Sequence, residues 1–139
     1  MADIVNVDLD ALYRAWRLYM KEHSNAKYFG VDNDLTKAKF PYANFQMVGR
    51  PTNTSDLENH EITVDLTIQT DCYIDKQKPT ELYEMDNACW SFFQELGFRR
   101  MGNSTITDVQ NMNVKRIISR FFLRNFAGRY LKELTDGTP

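Results

Sequence analysis

The stretch from His60 to Ile74, HEITVDLTIQTDCYI, alternates almost without a break. Ile62, Val64, Leu66, Ile68, Cys72 and Ile74 share one parity, with Thr70 the single weak position. Glu61, Thr63, Asp65, Thr67, Gln69, Asp71 and Tyr73 share the other. Successive strand side chains point to opposite faces, so this spacing predicts one long strand with an oily face and a wet face. No helical phase gathers those apolar residues on one side. At about 3.3 Å per residue the strand would run to roughly 45 Å, so its neighbours must be long or it must outreach its own core. Strict alternation also predicts a sheet covered on one side, because a doubly covered strand would be apolar throughout. The second face is expected to be free, polar and acidic, and to carry the function.

The cover can come from two helices. Leu9, Leu12, Tyr13, Trp16, Tyr19 and Met20 follow helical spacing over residues 9 to 23, with Asp8 placed as N-cap. Leu82, Met85, Cys89, Phe92, Phe93 and Leu96 make a second stripe, with Pro79 in its first turn and Gly97 placed to end it. Trp90 falls off that stripe, either as a ring-edge contact or at the rim of a partner site. Phe40 to Val48 reads as a strand that begins at Pro41. Gly49 to Asn59 is turn chemistry throughout and predicts a hairpin loop of about ten residues. Val114 to Leu123 is the last strong strand: Ile117, Phe121 and Leu123 on one face, Arg116, Ile118, Arg120, Phe122 and Arg124 on the other. Residues 24 to 39 read as a loop or short irregular arm, residues 98 to 108 as turn-rich with an extended Thr105 to Thr107, and the tail from about 126 as flexible. The expected class is α+β, an antiparallel or mixed sheet with two helices packed on one face, in α-β-β-α-β-β order within a single domain over 1–139. Leu12, Trp16, Ile62, Val64, Leu66, Ile68, Met85, Cys89, Phe92, Leu96, Ile117 and Phe121 are its expected core.

Chemistry is sparse by comparison. A formal net charge of -2 argues against general affinity for nucleic acid or anionic lipid. No window approaches the roughly 20 apolar residues of a membrane span, and the N-terminus lacks the basic start and apolar run of a signal peptide, so the chain is expected to be cytosolic when made. Cys72 and Cys89 sit on apolar faces; a disulfide between them stays open, with paired buried thiols the favoured state. His23 and His60 lack Cys or carboxylate neighbours at ligand spacing, so no metal site is expected. There is no Gly-rich phosphate loop, nucleophile elbow or CxxC. Glu61 with Asp65 and Asp71 has the makings of an acid–base pair, but a solvated or ion-paired sheet face explains it better. Arg116, Arg120 and Arg124, with Ile118 and Phe122 between, match a nucleic-acid stacking platform on paper, against which the acidic balance argues. The acidic and basic strands could instead meet, within one sheet or between subunits. No catalytic residue and no cofactor is expected.

The order of the elements resembles a known family. An amphipathic N-terminal helix leads to FPYANFQMV (40 to 48), a polar loop and the long alternating strand. A helix ending FFQELGF (92 to 98) and a closing RIISRF (116 to 121) follow. Over residues 5 to 125 this pattern is similar to the tail terminator and tail-completion (neck) proteins of long-tailed bacteriophages, although no invariant signature carries it. The resemblance implies a structural virion protein without catalytic residues, in the tail or neck and assembled in the host cytoplasm. It implies a ring, usually a hexamer and formed either in solution or only on the tube, that caps the tail tube and docks the head, with the tube protein and head–tail connector or neck proteins as partners. Glu61, Asp65 and Asp71 with Arg116, Arg120 and Arg124 are then the candidate subunit interface. Arg50, Asp56 and Glu58 are the candidate tube-contact loop. The alternative is a stand-alone binding module of ferredoxin-like type, for peptide or RNA.

Overall fold

The computed structural model describes residues 8–31, 39–55, 61–75, 78–102, 106–109 and 113–126. Helix α1 (Leu9–His23) begins where Asp8 accepts a hydrogen bond from the Ala11 backbone N–H at 3.1 Å, as the cap reading expects. Strands β1 (Tyr28–Gly30), β2 (Tyr42–Gly49) and β3 (Thr52–Ser55) lead to β4 (Glu61–Ile74). Helix α2 (Pro79–Glu95) starts with proline in its first turn and ends at Gly97, whose φ of 93° suits a residue without a Cβ. Strands β5 (Arg99–Met101), β6 (Ile106–Asp108) and β7 (Lys115–Phe126) complete the order.

The seven strands form one sheet in the order β1-β2-β4-β7-β5, with β3 also on β4 and β6 also on β7. The pairing answers how a strand as long as β4 is satisfied. On one edge it runs antiparallel to β7 from Ile74↔Lys115 to Val64↔Phe126. Its other edge is tiled by two shorter strands, β2 along Thr67 to Tyr73 and β3 along Glu61 to Val64. β1 runs parallel to β2, which makes the sheet mixed. The fold is therefore α+β with helices packed on a sheet, and the expected order holds for the long elements. Three short strands were not foreseen. β1 lies in the stretch read as an irregular arm, β5 in the turn-rich segment, and β3 within the stretch read as loop. The ten-residue hairpin loop is thus a correction. Threonines at 52 and 54 continue the ladder after a register shift at Gly49, so residues 52 to 55 are strand. Residues 56 to 60, the C-terminal tail beyond 126 and the predicted extension at Thr105 lie outside the described residues; Ile106 and Thr107 belong to β6.

Both helices pack on the face that carries the oily parity of β4. Leu12, Trp16, Val64, Leu66, Ile68, Met85, Cys89, Phe92, Ile117 and Phe121 are buried in one cluster, with Leu96 half-buried against it. The Ile62 side chain is outside the described residues. Aromatic rings dominate this layer: Phe93 stacks on Phe121 with centroids 4.6 Å apart, and Trp16 lies 5.3 Å from Phe45. Between the helices, Tyr19 lies 5.6 Å from Phe92 and the Trp16 indole N–H donates to Cys89 Sγ at 3.4 Å, so they run side by side in the same sense. Both cysteines are free thiols.

Candidate functional site

Opposite the helices, the sheet presents the second parity of β2, β4, β5 and β7. It is not free along its whole length, which corrects the expectation of an open, acidic face. At the Ile74 end, Gln69, Asp71 and Tyr73 are buried. Tyr73 explains the closure: its ring lies 5.9 Å from Tyr42 and joins Tyr42, Val114, Phe40 and Val109 in a second apolar cluster. A tyrosine on the wet parity carries enough apolar surface to close a patch of sheet.

Inside that closed end, Asp71 is neutralised. It accepts from Arg116 through Nε at 3.1 Å and through Nη2, from Gln69 Nε2 at 2.8 Å and from Tyr73 Oη at 3.4 Å. Asp71 and Arg116 are adjacent to cross-strand partners, Asp71↔Ile118 and Tyr73↔Arg116, so the antiparallel register delivers the guanidinium diagonally onto the carboxylate. Burial, seconded by the Asp71 charge, pushes the Tyr73 phenol well above its ordinary range. Arg120 donates from Nε to Gln69 Oε1 at 3.0 Å and so extends the same network. The acidic and basic candidates thus meet within one subunit, at Asp71 and Arg116. Glu61 lies at the other end of β4, opposite Ser55, and Asp65 sits at the bulge between Val64 and Leu66. Arg50 is half-buried at the junction of β2 and β3, while Asp56 and Glu58 lie outside the described residues.

The open part of the face is basic. Arg124 is exposed and lies over the Phe122 ring at 5.5 Å. Arg99, brought alongside by the pairing Arg99↔Phe122, is exposed too, and Met101 is 49 % exposed beside Arg120. Gly97, Arg99, Phe122, Leu123 and Arg124 line a hollow of about 410 Å³. Sequence reading missed Arg99 because β5 is three residues long; the signal was a basic pair, Arg99-Arg100, separated from the helix stop at Gly97 by Phe98 alone.

A second polar group, on the helix side of the sheet, also escaped the sequence. Asp86 of α2 is buried and accepts from Arg100 Nη2 at 2.5 Å and from the Ser119 hydroxyl. Arg100 in turn lies 6.0 Å from the Trp90 ring, and Trp90 stacks on Phe121 at 6.1 Å. Trp90 is therefore a half-buried wall over an ion pair. The Cys72 thiol, hydrogen-bonded to the Cys89 thiol and buried, is pushed well above its ordinary range. The His23 ring lies 4.2 Å from that of Tyr19, tilted by 32°, with its Nε2 3.9 Å from Glu22, and His60 is outside the described residues. Among the described residues no cluster of three His, Cys, Asp or Glu side chains is placed to hold a metal ion. No helix there is long and apolar enough to cross a membrane. No family model matches the chain, and no curated protein compared with it does either.

Proposed function

We propose that this chain is a structural ring subunit of the phage tail terminator type, which caps a tail tube and offers the head its docking surface. The observation that carries the reading is the divided sheet face. One end is sealed by Tyr42, Tyr73 and the Asp71–Arg116 pair, while the other leaves Arg99, Arg120 and Arg124 exposed around Phe122. A sealed end makes a rigid subunit, and exposed arginines flanking an aromatic ring are the residues enriched where proteins meet. The element order set out above supports the same reading. In this account the subunits meet one another, the tube protein and the neck proteins, with no bound cofactor. The test is a phage whose copy of the chain is deleted. Tails of uncontrolled length that fail to join heads are expected, and normal tails on full particles would refute the assignment.

A stand-alone binding module for peptide or RNA is the second reading. Arg124 over Phe122 favours it, because an arginine–aromatic pair is also a platform for an unpaired base. Tight binding of single-stranded RNA by a monomeric native chain would move the assignment there.

A further inference from the structure

The arginine site at the β5–β7 edge has a counterpart on the same molecule. Ala15, Leu18, Tyr19, Glu22, Phe92, Glu95 and Leu96 line a groove of about 280 Å³ between the C-terminal ends of α1 and α2. Leu18, at 63 % exposure, is the most exposed large apolar side chain among the described residues. The rim is acidic for three reasons. Glu22 and Glu95 stand on it. α2 contains no Lys or Arg, and no basic residue occupies its last turn. Both helices also end here, which adds the negative ends of two helix dipoles. The cations of α1 are committed elsewhere: Arg17 and Lys21 lie over the Phe29 ring and Arg14 pairs with Asp10 at 3.3 Å. His23 flanks the groove through its ring contact with Tyr19.

Arg99 and Arg124, by contrast, have no carboxylate within ion-pair distance among the described residues. Each molecule thus carries an apolar groove with an acidic rim and an aromatic site with a basic rim, separated by the turn in which Leu96 lines one and Gly97 the other. We propose that copies of this chain associate by seating the acid-rimmed groove of one copy against the arginine-flanked Phe122 of the next. The occupant is a second copy because the two patches match in sign and in apolar content. A contact between two different patches repeats from copy to copy, and it closes into a ring where the rotation from one copy to the next closes. This inference rests on the ring reading above, and names the surfaces through which the ring would form.

The experiment is a charge swap followed by sedimentation over a concentration series at low and high salt. Arg99→Glu/Arg124→Glu and Glu22→Arg/Glu95→Arg each place like charges across the contact, so each should weaken self-association by about tenfold or more at low salt. Mixed in equal amounts, the two variants again offer opposite signs at every contact, and assembly should return to within about threefold of native. All four positions are in exposed or rim sites, and unchanged thermal melts verify the fold. Variants that assemble like the native chain, or a mixture that fails to recover, overturn the contact while leaving a native ring intact. A native chain that forms a charge-sensitive pair with two-fold symmetry, and nothing larger, keeps the contact and refutes the ring. A chain monomeric at every concentration, and still without a ring when tail tubes are added, overturns the contact outright.

Discussion

Removing Arg116 should cost more than removing its partner, Asp71. The Asp71 side chain is wholly buried, whereas that of Arg116 is 30 % exposed. In Arg116→Ala, the carboxylate stays behind with the Gln69 amide at 2.8 Å and a Tyr73 hydroxyl at the 3.4 Å limit of useful geometry. Breaking a buried ion pair by removing one member costs about 3–5 kcal/mol, and the partial exposure of the guanidinium lowers this to about 2–4 kcal/mol. Asp71→Asn leaves the opposite residue, an arginine that can rehydrate through its exposed third, and should cost about 1–2 kcal/mol. The double variant should be less destabilised than the sum of the singles, by about 1–3 kcal/mol, because no charge is then stranded. Urea unfolding with a common m-value measures all three. An Asp71→Asn cost above that of Arg116→Ala, or strict additivity, would refute the sealed-network description of this end of the sheet.

Leu66→Ala and Phe93→Ala, both at fully buried positions, should each lose about 2–5 kcal/mol by thermal or urea melts. Asn44 is buried opposite Asp71 with neither amide atom hydrogen-bonded, so Asn44→Leu should be neutral or stabilising by about 1 kcal/mol; a loss of that size or more in urea melts would contradict the orphaned amide. Gly97→Ala forces a Cβ into a φ of 93° and should destabilise by about 1 kcal/mol in the same melts, more than Gly97→Asn. The raised Cys72 thiol and Tyr73 phenol keep their protons longer folded than unfolded. Their contribution is complete below the ordinary thiol value of 9.0 and is lost as pH rises through it and through the phenol value of 10.0 towards the folded values. Unfolding free energy measured against pH should therefore fall above pH 9, and Tyr73→Phe should flatten the upper part of that fall.

How far the fold could be read depended on the length of each periodic signal. β4, α1, α2 and β7 each hold their period for many residues, and their buried faces follow from it. β1 and β5 are three residues long, too short for a period to emerge, and take their place from the strands they pair with; β6, equally short, showed only as an extended stretch around Ile106 and Thr107. β3 was hidden because Pro51-Thr-Asn-Thr-Ser55 has the composition of a turn, while its pairing depends on β4 extending past the end of β2. Loop replacement across 52 to 58, harmless to a ten-residue hairpin, would instead remove this strand. Charge was legible only by sign. Acid on β4 and base on β7 could be seen, but the register that joins Asp71 to Arg116 and releases Arg124 is a tertiary fact. Asp86 shows the same limit: nothing local distinguishes a helix aspartate that meets Arg100 and Ser119 under Trp90 from one facing water.

The ring assignment meets its most direct test in electron micrographs of purified tail tubes incubated with the native chain. The account predicts one end of each tube capped by a closed ring of identical copies, six by the family resemblance, with the tube no longer able to elongate. Tubes with bare ends that keep growing, beside a chain that stays monomeric or paired in solution, would contradict it.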